Sequence, residues 1–536
     1  YDYMRVHTVY DLQNINAKRD GRYILAKDID ATATQDWNSG EGFAPLGDGS
    51  NKFTGRLDGA GHTLRGLYIN QNDDEIGLFG DVKGATIENL SLRNGYVKGL
   101  YRVGGIVGSA ESTVIRNVSY SGEAAGRRYI GGIAGRVSGG SIQNAWNAGT
   151  VDGDSTVGGI AGQVKKGSIF QNVCNTGAIT GNVVQSGGIA GYIENSRLQN
   201  VWNAGTVRGS RKVGGVVGEA NGGSICHAVW KSGTVREYNS GSYIARAVGE
   251  SNNATALEDI AERSEADMKL AATYSDWKDE HGNAVVATEG GKGTPWRIYE
   301  GHTMPLLTGL MKGTKRLAKV YDGNVFATTD PHITLVHTGK DVGTYDAYSD
   351  QFGYNLIGGA IIKPRALTIS AVAAQSKTYD GTTSADAAQF HATLNNVVAG
   401  EESLVTATVT GAAYNSKDVA SANAVNYTGV ALGGAGAGNY RIAGTVQGAG
   451  SITAKQLNLA LTGGARFDKT YDGNANVTQS LTKDRNYTLT NFVNGEGADI
   501  ALAPATGTYT DKNAGTGKAV TFGGLTLTGA GAGNYS

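Results

Sequence analysis

The chain is poor in the residues that staple or break structure: it has two cysteines, six prolines and four methionines in 536 residues. Cys174 and Cys226 are too few for a disulfide framework and belong to no CxxC pair, so a structural zinc site is excluded as well. Their spacing leaves open whether they bond to each other. So little proline rules out collagen and Pro-rich linkers. Apolar runs stay far below the ~20 residues of a membrane-crossing helix, and no basic and then apolar leader opens the chain. The sequence starts at Tyr1 and reads as a mature or excised fragment. Lys and Arg total 47 against 48 Asp and Glu, a net charge of −1, which gives no basis for a nucleic-acid groove or an anionic-membrane partner. Neither HExxH nor GxSxG occurs, so two common hydrolase signatures are missing.

What is abundant is glycine, 82 residues, and much of it sits in one recurring phrase. The phrase reads IGLFG at Ile76–Gly80, VGGIVG at Val103–Gly108, IGGIAG at Ile130–Gly135, VGGIAG at Val157–Gly162, SGGIAG at Ser186–Gly191 and VGGVVG at Val213–Gly218. Its starts are 27, 27, 27, 29 and 27 residues apart, a period that signals a solenoid. Three apolar columns run through the units. One is Ile106, Ile133, Ile160, Ile189 and Val216; the second is Ile115, Ile142, Ile169, Leu198 and Ile225; the third is Val97, Ala124, Val151, Ile179, Val207 and Val235. Three columns imply three sides, hence an all-β, right-handed parallel β-helix of about 27 residues per coil, stacked at ~4.8 Å. One coil buries only a few aliphatics at about 1.5–3 kcal/mol each, against ~1–2 kcal/mol of backbone entropy for every residue ordered. Coils are therefore stable only as a stack with covered ends.

Two further columns concern surface chemistry. Asn89, Asn117, Asn144, Asn172 and Asn200, with His227 next in line, are placed to bond one another along the stack, as amide ladders do in cross-β structures. Trp146, Trp202 and Trp230, with Cys174 at the equivalent place, form an aromatic row that would stack on sugar rings if it faces solvent, and is ordinary apolar cover if it does not. Because parallel β-helices can also carry paired carboxylates for glycan cleavage, Asp28, Asp30, Asp58, His62, Asp73, Asp74 and Glu75 are the catalytic candidates; turn and loop roles account for them, so no catalytic residue is assigned. Asp152 and Asp154 lack the remainder of a Ca²⁺ loop, and neither a metal nor a cofactor is expected.

The chain then divides in order. Residues 1–312 are expected to form the β-helix, opened by strands at Val9–Ile15 and Tyr23–Asp30. It is closed over its last coil by a cap, about 250–312, that contains a helix at Ala256–Ala271 and the stretch Thr294–Leu307. A second repeat follows, marked by KVYDG at Lys319–Gly323 and KTYDG at Lys377–Gly381 and Lys469–Gly473. It reads as tandem β-sandwich-like modules: a short one at 313–365, one at 366–455, and one at 456–536 that stops ahead of its closing strand. The strand-like joins contain no flexible Gly/Ser linker, so a stiff string of modules is expected. Each Asp-Gly is expected to make a hairpin turn across which Tyr and Lys pack or pair.

FTGRLDGAGHTLRGLYI at Phe53–Ile69, the following GLFG and the glycine series resemble the GLUG repeats of bacterial surface proteins. TPWRIYEGHTMPLL followed by YDG phrases resembles filamentous-haemagglutinin-like exoproteins exported by two-partner secretion. The resemblance implies a secreted, cell-surface or matrix adhesin without enzymatic activity, acting in attachment, aggregation or biofilm assembly. Its implied partners are extracellular polysaccharide and a host or neighbouring-cell surface, with an outer-membrane transporter for the parent protein. The rival readings are a β-helical polysaccharide lyase or glycosidase, and a passive stalk.

Overall fold

The computed structural model describes residues 2–238, 242–463 and 465–536. Within residues 1–317, 24 described strands join one parallel sheet that winds as a β-helix. Each strand lies over the matching strand one coil earlier: Val107 pairs with Ala134, Ala134 with Ala161, Ala161 with Ala190 and Ala190 with Val217. Partners are 27 or 29 residues apart through this run, which makes each coil a near-copy of the last. Ile106, Ile133, Ile160, Ile189 and Val216 stack in this register with no exposed surface, linked by backbone hydrogen bonds of 2.8 to 3.1 Å. The third column is likewise buried and in register from Ile69 to Val235.

The glycine phrase has three separate steric reasons. A Cβ on its first glycine would strike the next coil, coming within 2.6 Å of Ala134 Cα at Gly104 and of Ala161 Cα at Gly131. A Cβ on the second would run into an interior side chain: the Tyr120 ring at Gly105, the Asn147 amide at Gly132, Asn175 at Gly159, Asn203 at Gly188 and the Trp230 ring at Gly215. On the last glycine it would meet the backbone of the preceding coil, as at Gly135 and Gly162. The phrase therefore records three close approaches repeated once per coil.

Two amide ladders run along the stack. In the first, Asn117 Nδ2 donates to Asn89 Oδ1 (2.9 Å), Asn144 to Asn117 (3.0 Å), Asn172 to Asn144 (3.2 Å) and Asn200 to Asn172 (3.4 Å). These residues and His227 all have φ between +53° and +56°, a left-handed corner that asparagine tolerates better than most residues. Asp58 accepts from Asn89 at one end, and His227 Nδ1 meets Asn200 Oδ1 at the other. The second ladder lies inside the coil: Asn147 donates to Asn175 and Asn175 to Asn203, both at 2.8 Å, while each Oδ1 accepts the N–H of the glycine two residues on.

Several expectations need correction. Val9–Asn14 is an α-helix, not a strand: Thr8 and Asp11 form a capping box and Val9, Leu12 and Ile15 fall on one buried face. The second column holds Phe170 in place of Ile169, which is 44% exposed, because one extra residue in that coil shifts the register by one and so flips the faces. Ala256–Ala271 is not helical. Ala256–Arg263 is a strand laid on Ser224–Lys231, pairing Ile225 with Leu257 and Ala228 with Ile260, because the open ladder of the preceding coil outweighs helix propensity; two short 3₁₀ turns follow. The segment beyond it packs on the side of the stack. Met268, Tyr274, Trp277, Trp296, Ile298 and Leu307 pack laterally against Cys174, Trp202 and Val229, making a second core outside the coil. Both cysteines are buried free thiols.

The second compact unit comprises 318–326, 339–344 and 361–536, so residues 313–365 are divided and do not stand as a module of their own. In residues 365–453, Gln375–Thr378, Val446–Thr453, Ala424–Thr428 and Gly411–Tyr414 form one sheet, and Arg365–Ser370 joins Thr393–Asn395 and Tyr440–Ile442. The next module begins with Asn458–Leu461, with only four residues between it and Thr453, and one buried cluster runs from Tyr379 to Tyr535 through both modules. Each YDG turn is an ion-paired loop rather than a cross-strand pair. Lys319, Lys377 and Lys469 bond Asp322, Asp380 and Asp472 at 2.6 to 2.8 Å, and the following glycines have φ of +77° or +78°. The tyrosines point elsewhere. Tyr321 donates to Glu401 and Tyr379 to Glu496, and the same glutamates accept from Tyr440 and Tyr535.

Ile160→Asp should cost about 4 kcal/mol or more in denaturant unfolding, since it buries an unpaired charge between two coils. Gly159→Ala should lower stability by about 1–3 kcal/mol through overpacking against Asn175 and the backbone of the next coil. Donation from Tyr440 and then Tyr321 holds the Glu401 carboxyl below its ordinary value of 4.5. A lowered folded value makes the stabilisation fully present above 4.5 and lost as pH falls through the folded value. Thermal melts from neutral pH to below 4.5 should show that loss, with a smaller pH dependence in Glu401→Gln.

Candidate functional site

The aromatic row does not form a sugar platform. Register places Trp146 over Cys174, Cys174 over Trp202 and Trp202 over Val229, so Trp230 stands in the neighbouring column, above Asn203 and turned into the coil. Trp202 is 4% exposed, its ring 6.4 Å from that of Trp296. Trp146 donates to Thr176 Oγ1 at 2.9 Å and lies 5.2 Å from the Phe352 ring. An outward apolar row is cheapest to stabilise when another segment covers it, and residues 268–307 do so.

The same covering segment screens part of the amide ladder. Trp296 Nε1 donates to Asn172 Oδ1 at 3.2 Å and Asn200 donates to the Lys278 carbonyl at 3.3 Å. Towards the start of the ladder the cover ends, and Asn89 and Asn117 line a cleft of about 580 Å³. Arg65 and Arg93, partners in consecutive coils, stand in it with Ser91. Lys312, His332 and Phe352 line it from the loops that follow the β-helix strands.

Arg93 is the most constrained group in this cleft. Its guanidinium carbon sits 3.4 Å from the centre of the Phe352 ring, within cation–π range. Burial, and then the adjacent Arg65, lower its proton affinity from the ordinary arginine value. Among the described residues its buried Nε has no hydrogen-bond partner. A part-desolvated guanidinium beside a second one in the cleft suits an incoming carboxylate or sulfate. His332 is oriented by Asp350, Nδ1 to Oδ2 at 2.9 Å.

The carboxylates read from sequence are occupied with holding the coil. Asp28 accepts from Thr63 N–H at 3.0 Å and lies 3.1 Å from His62 Nδ1; partial burial raises its carboxyl, but these two neighbours and Arg65 outweigh it and keep it low. Asp58 heads the amide ladder and also accepts from Ala60 N–H. Asp30 caps a turn through Thr32. Asp73 accepts the Asp74 N–H, and Asp74 and Glu75 share Arg102. Asp154 lies 3.8 Å from Arg127, and burial followed by Asp154 raises the Asp152 carboxyl. Of these candidates Asp28 alone lines the cleft. Sequence reading missed Arg65, Arg93, Lys312, His332 and Phe352; the 28-residue spacing of Arg65 and Arg93 was the single available signal.

A 131-residue stretch, 23% of the chain, is 40% identical to halomucin of Haloquadratum walsbyi, and 120 residues, 21%, are 37% identical to a protein described as a Gly-rich membrane protein of Evansella cellulosilytica. The chain spans 1% and 14% of the lengths of these two relatives. Among solved structures it is similar to a Bacteroides ovatus protein described as an immunoglobulin A1 protease, with a TM-score of 0.40 and 19% identity over 53% of this chain and 91% of that one. It is also similar to a structure described as an IgA1 protease, with a TM-score of 0.34 and 20% identity over 47% of this chain and 19% of that one. The carboxy-terminal repeats match a family model at residues 363–447 and 453–536, which places the phrases at Lys377–Gly381 and Lys469–Gly473 in two YDG domains.

Proposed function

We propose that this protein is a non-enzymatic surface adhesin whose β-helix binds an acidic extracellular glycan in the Arg65–Arg93 cleft. The observation that carries the reading is Arg93: a guanidinium laid on Phe352, beside Arg65, in a cleft lined by amides of the ladder. The cleft adds the amides of Asn89 and Asn117 and the Ser91 hydroxyl, groups that recognise sugar hydroxyls, while Lys312 adds a further cation for a uronate or sulfate. Binding without cleavage is favoured because Asp28 is engaged by His62 and Thr63, and glycoside hydrolysis calls for two carboxyl groups facing one bond.

The YDG matches and the names of the relatives, halomucin and a Gly-rich membrane protein, support a surface or extracellular setting. Export through an outer-membrane transporter, and a role in attachment, aggregation or biofilm assembly, belong to the same reading. The partner is then an extracellular polysaccharide on a host, a neighbouring cell or the matrix.

An array of acidic and neutral polysaccharides tests this. Saturable binding to uronate-bearing or sulfated chains is expected, weakened by added salt. Arg93→Gln and Arg65→Gln should each reduce affinity about tenfold, the ~1.4 kcal/mol of one charged hydrogen bond, with melting followed alongside to separate binding from folding. Release of unsaturated or reducing-end products would overturn the non-enzymatic reading, and equal indifference to every glycan would leave a passive stalk.

A further inference from the structure

The two joints within residues 318–536 are built from the same parts. One side supplies a YDG tyrosine and glycine together with a Lys-Asp-Val loop; the other supplies a Val-x-Gly-Glu turn and an Asn-Tyr pair. In the first joint Tyr321 Oη donates to Glu401 at 2.7 Å, and a Cβ on Gly323 would lie 3.0 Å from Val398 Cγ1. Asn439 accepts from Val342 N–H at 2.8 Å and donates to Asp341 at 2.9 Å. In the second, Tyr379 donates to Glu496 at 2.8 Å, the Gly381 position faces Val493 at 2.9 Å, and Asn534 holds Val419 N–H and Asp418, both at 2.8 Å. The ring pairs Tyr321–Tyr440 and Tyr379–Tyr535 both stand 5.4 Å apart at 77°.

The third YDG phrase presents the donor side again. Lys469 bonds Asp472 at 2.8 Å and Gly473 has φ +77°, so the turn is preformed. Lys512-Asn513-Ala514 occupies the place of Lys417-Asp418-Val419. The asparagine carbonyl keeps the acceptor that an incoming Asn amide would need. Yet Tyr471 is 60% exposed, whereas Tyr321 and Tyr379 are 1% and 2% exposed, and among the described residues no atom lies within 4 Å of a Cβ on Gly473. Tyr471, Asn474, Lys512 and Asn513 instead border an open hollow.

We propose that the face around Tyr471 and Gly473 is a docking edge for a further YDG-type module bearing a Val-x-Gly-Glu turn and an Asn-Tyr pair. A second copy of this chain is a poor occupant, because both of its glutamate turns, at Glu401 and Glu496, already hold tyrosines. The incoming glutamate accepts from Tyr471 Oη, its valine covers Gly473, and its asparagine reads the Asn513-Ala514 backbone and carbonyl.

The test extends the full chain after Ser536 with a copy of residues 442–536 in which the added Tyr471 is replaced by Phe, and separately with residues 442–455 followed by a copy of 366–453. Tyrosine nitration read by mass spectrometry should find Tyr471 reactive in the original chain and slowed about tenfold or more in the extended chains, as for a group reached only by local opening. Replacing the added module's acceptor glutamate by Ala should restore reactivity. Protection of the added copies of Tyr487 or Tyr427, buried in the parent modules, reports that each addition has folded. Tyr471 as reactive in both extensions as in the original chain would overturn the proposal.

Discussion

The β-helix depends on one constraint: each coil must offer the next an unbroken row of backbone donors and acceptors at the spacing of a sheet. Because the strands are parallel and in register, identical side chains meet every 27 or 28 residues. Aliphatics gain by this, filling the interior as continuous columns. Charged side chains repel when they repeat, and opposite charges bridge several of them: Glu88 bonds both Arg56 and Arg116, and Lys212 bonds the stacked pair Glu219 and Glu250. Amides suit the geometry best, since each carries a donor and an acceptor and a row of them satisfies itself.

The two amide ladders point in opposite senses along the stack, and their ends follow from that. The ladder at the left-handed corner passes its donors towards the first coils, so it begins with acceptor-only Asp58 and ends with a ring nitrogen of His227, which serves as donor. The interior ladder passes donors onward and ends on the Gly215 carbonyl. Where residues 268–307 lie on the coil they bury its outward row and engage the ladder through Trp296 and Lys278. Where that cover stops, polar groups of the ladder reach solvent beside two arginines. The cleft is thus a consequence of how far the covering segment extends.

The YDG modules solve a different problem, that of joining small sheets with almost no linker. A single glutamate, Glu496, accepts two tyrosine hydroxyls from two successive modules, and the Asn534 side chain joins the backbone and acid of the neighbouring loop. Such buried, charge-assisted bonds are strong and directional, which suits joints that must repeat with one geometry.

The glycine phrase, the aliphatic columns and the Asn89–Asn200 row made the β-helix legible from sequence alone, because lateral stacking writes its period directly into the chain. The YDG phrases marked the modules for a similar reason. Four features were decided only by tertiary structure. A free ladder edge turned the helix-patterned Ala256–Arg263 into a strand; one inserted residue moved Phe170 inward and Ile169 outward; Trp230 fell into the interior column; and a covering segment made Trp202 core. The cleft residues Arg65, Arg93, His332 and Phe352 are distant in sequence, so their meeting leaves almost no local pattern. Periodic contacts are recorded in sequence because each coil repeats them, whereas a contact made once, between segments far apart, exists only after the chain has folded.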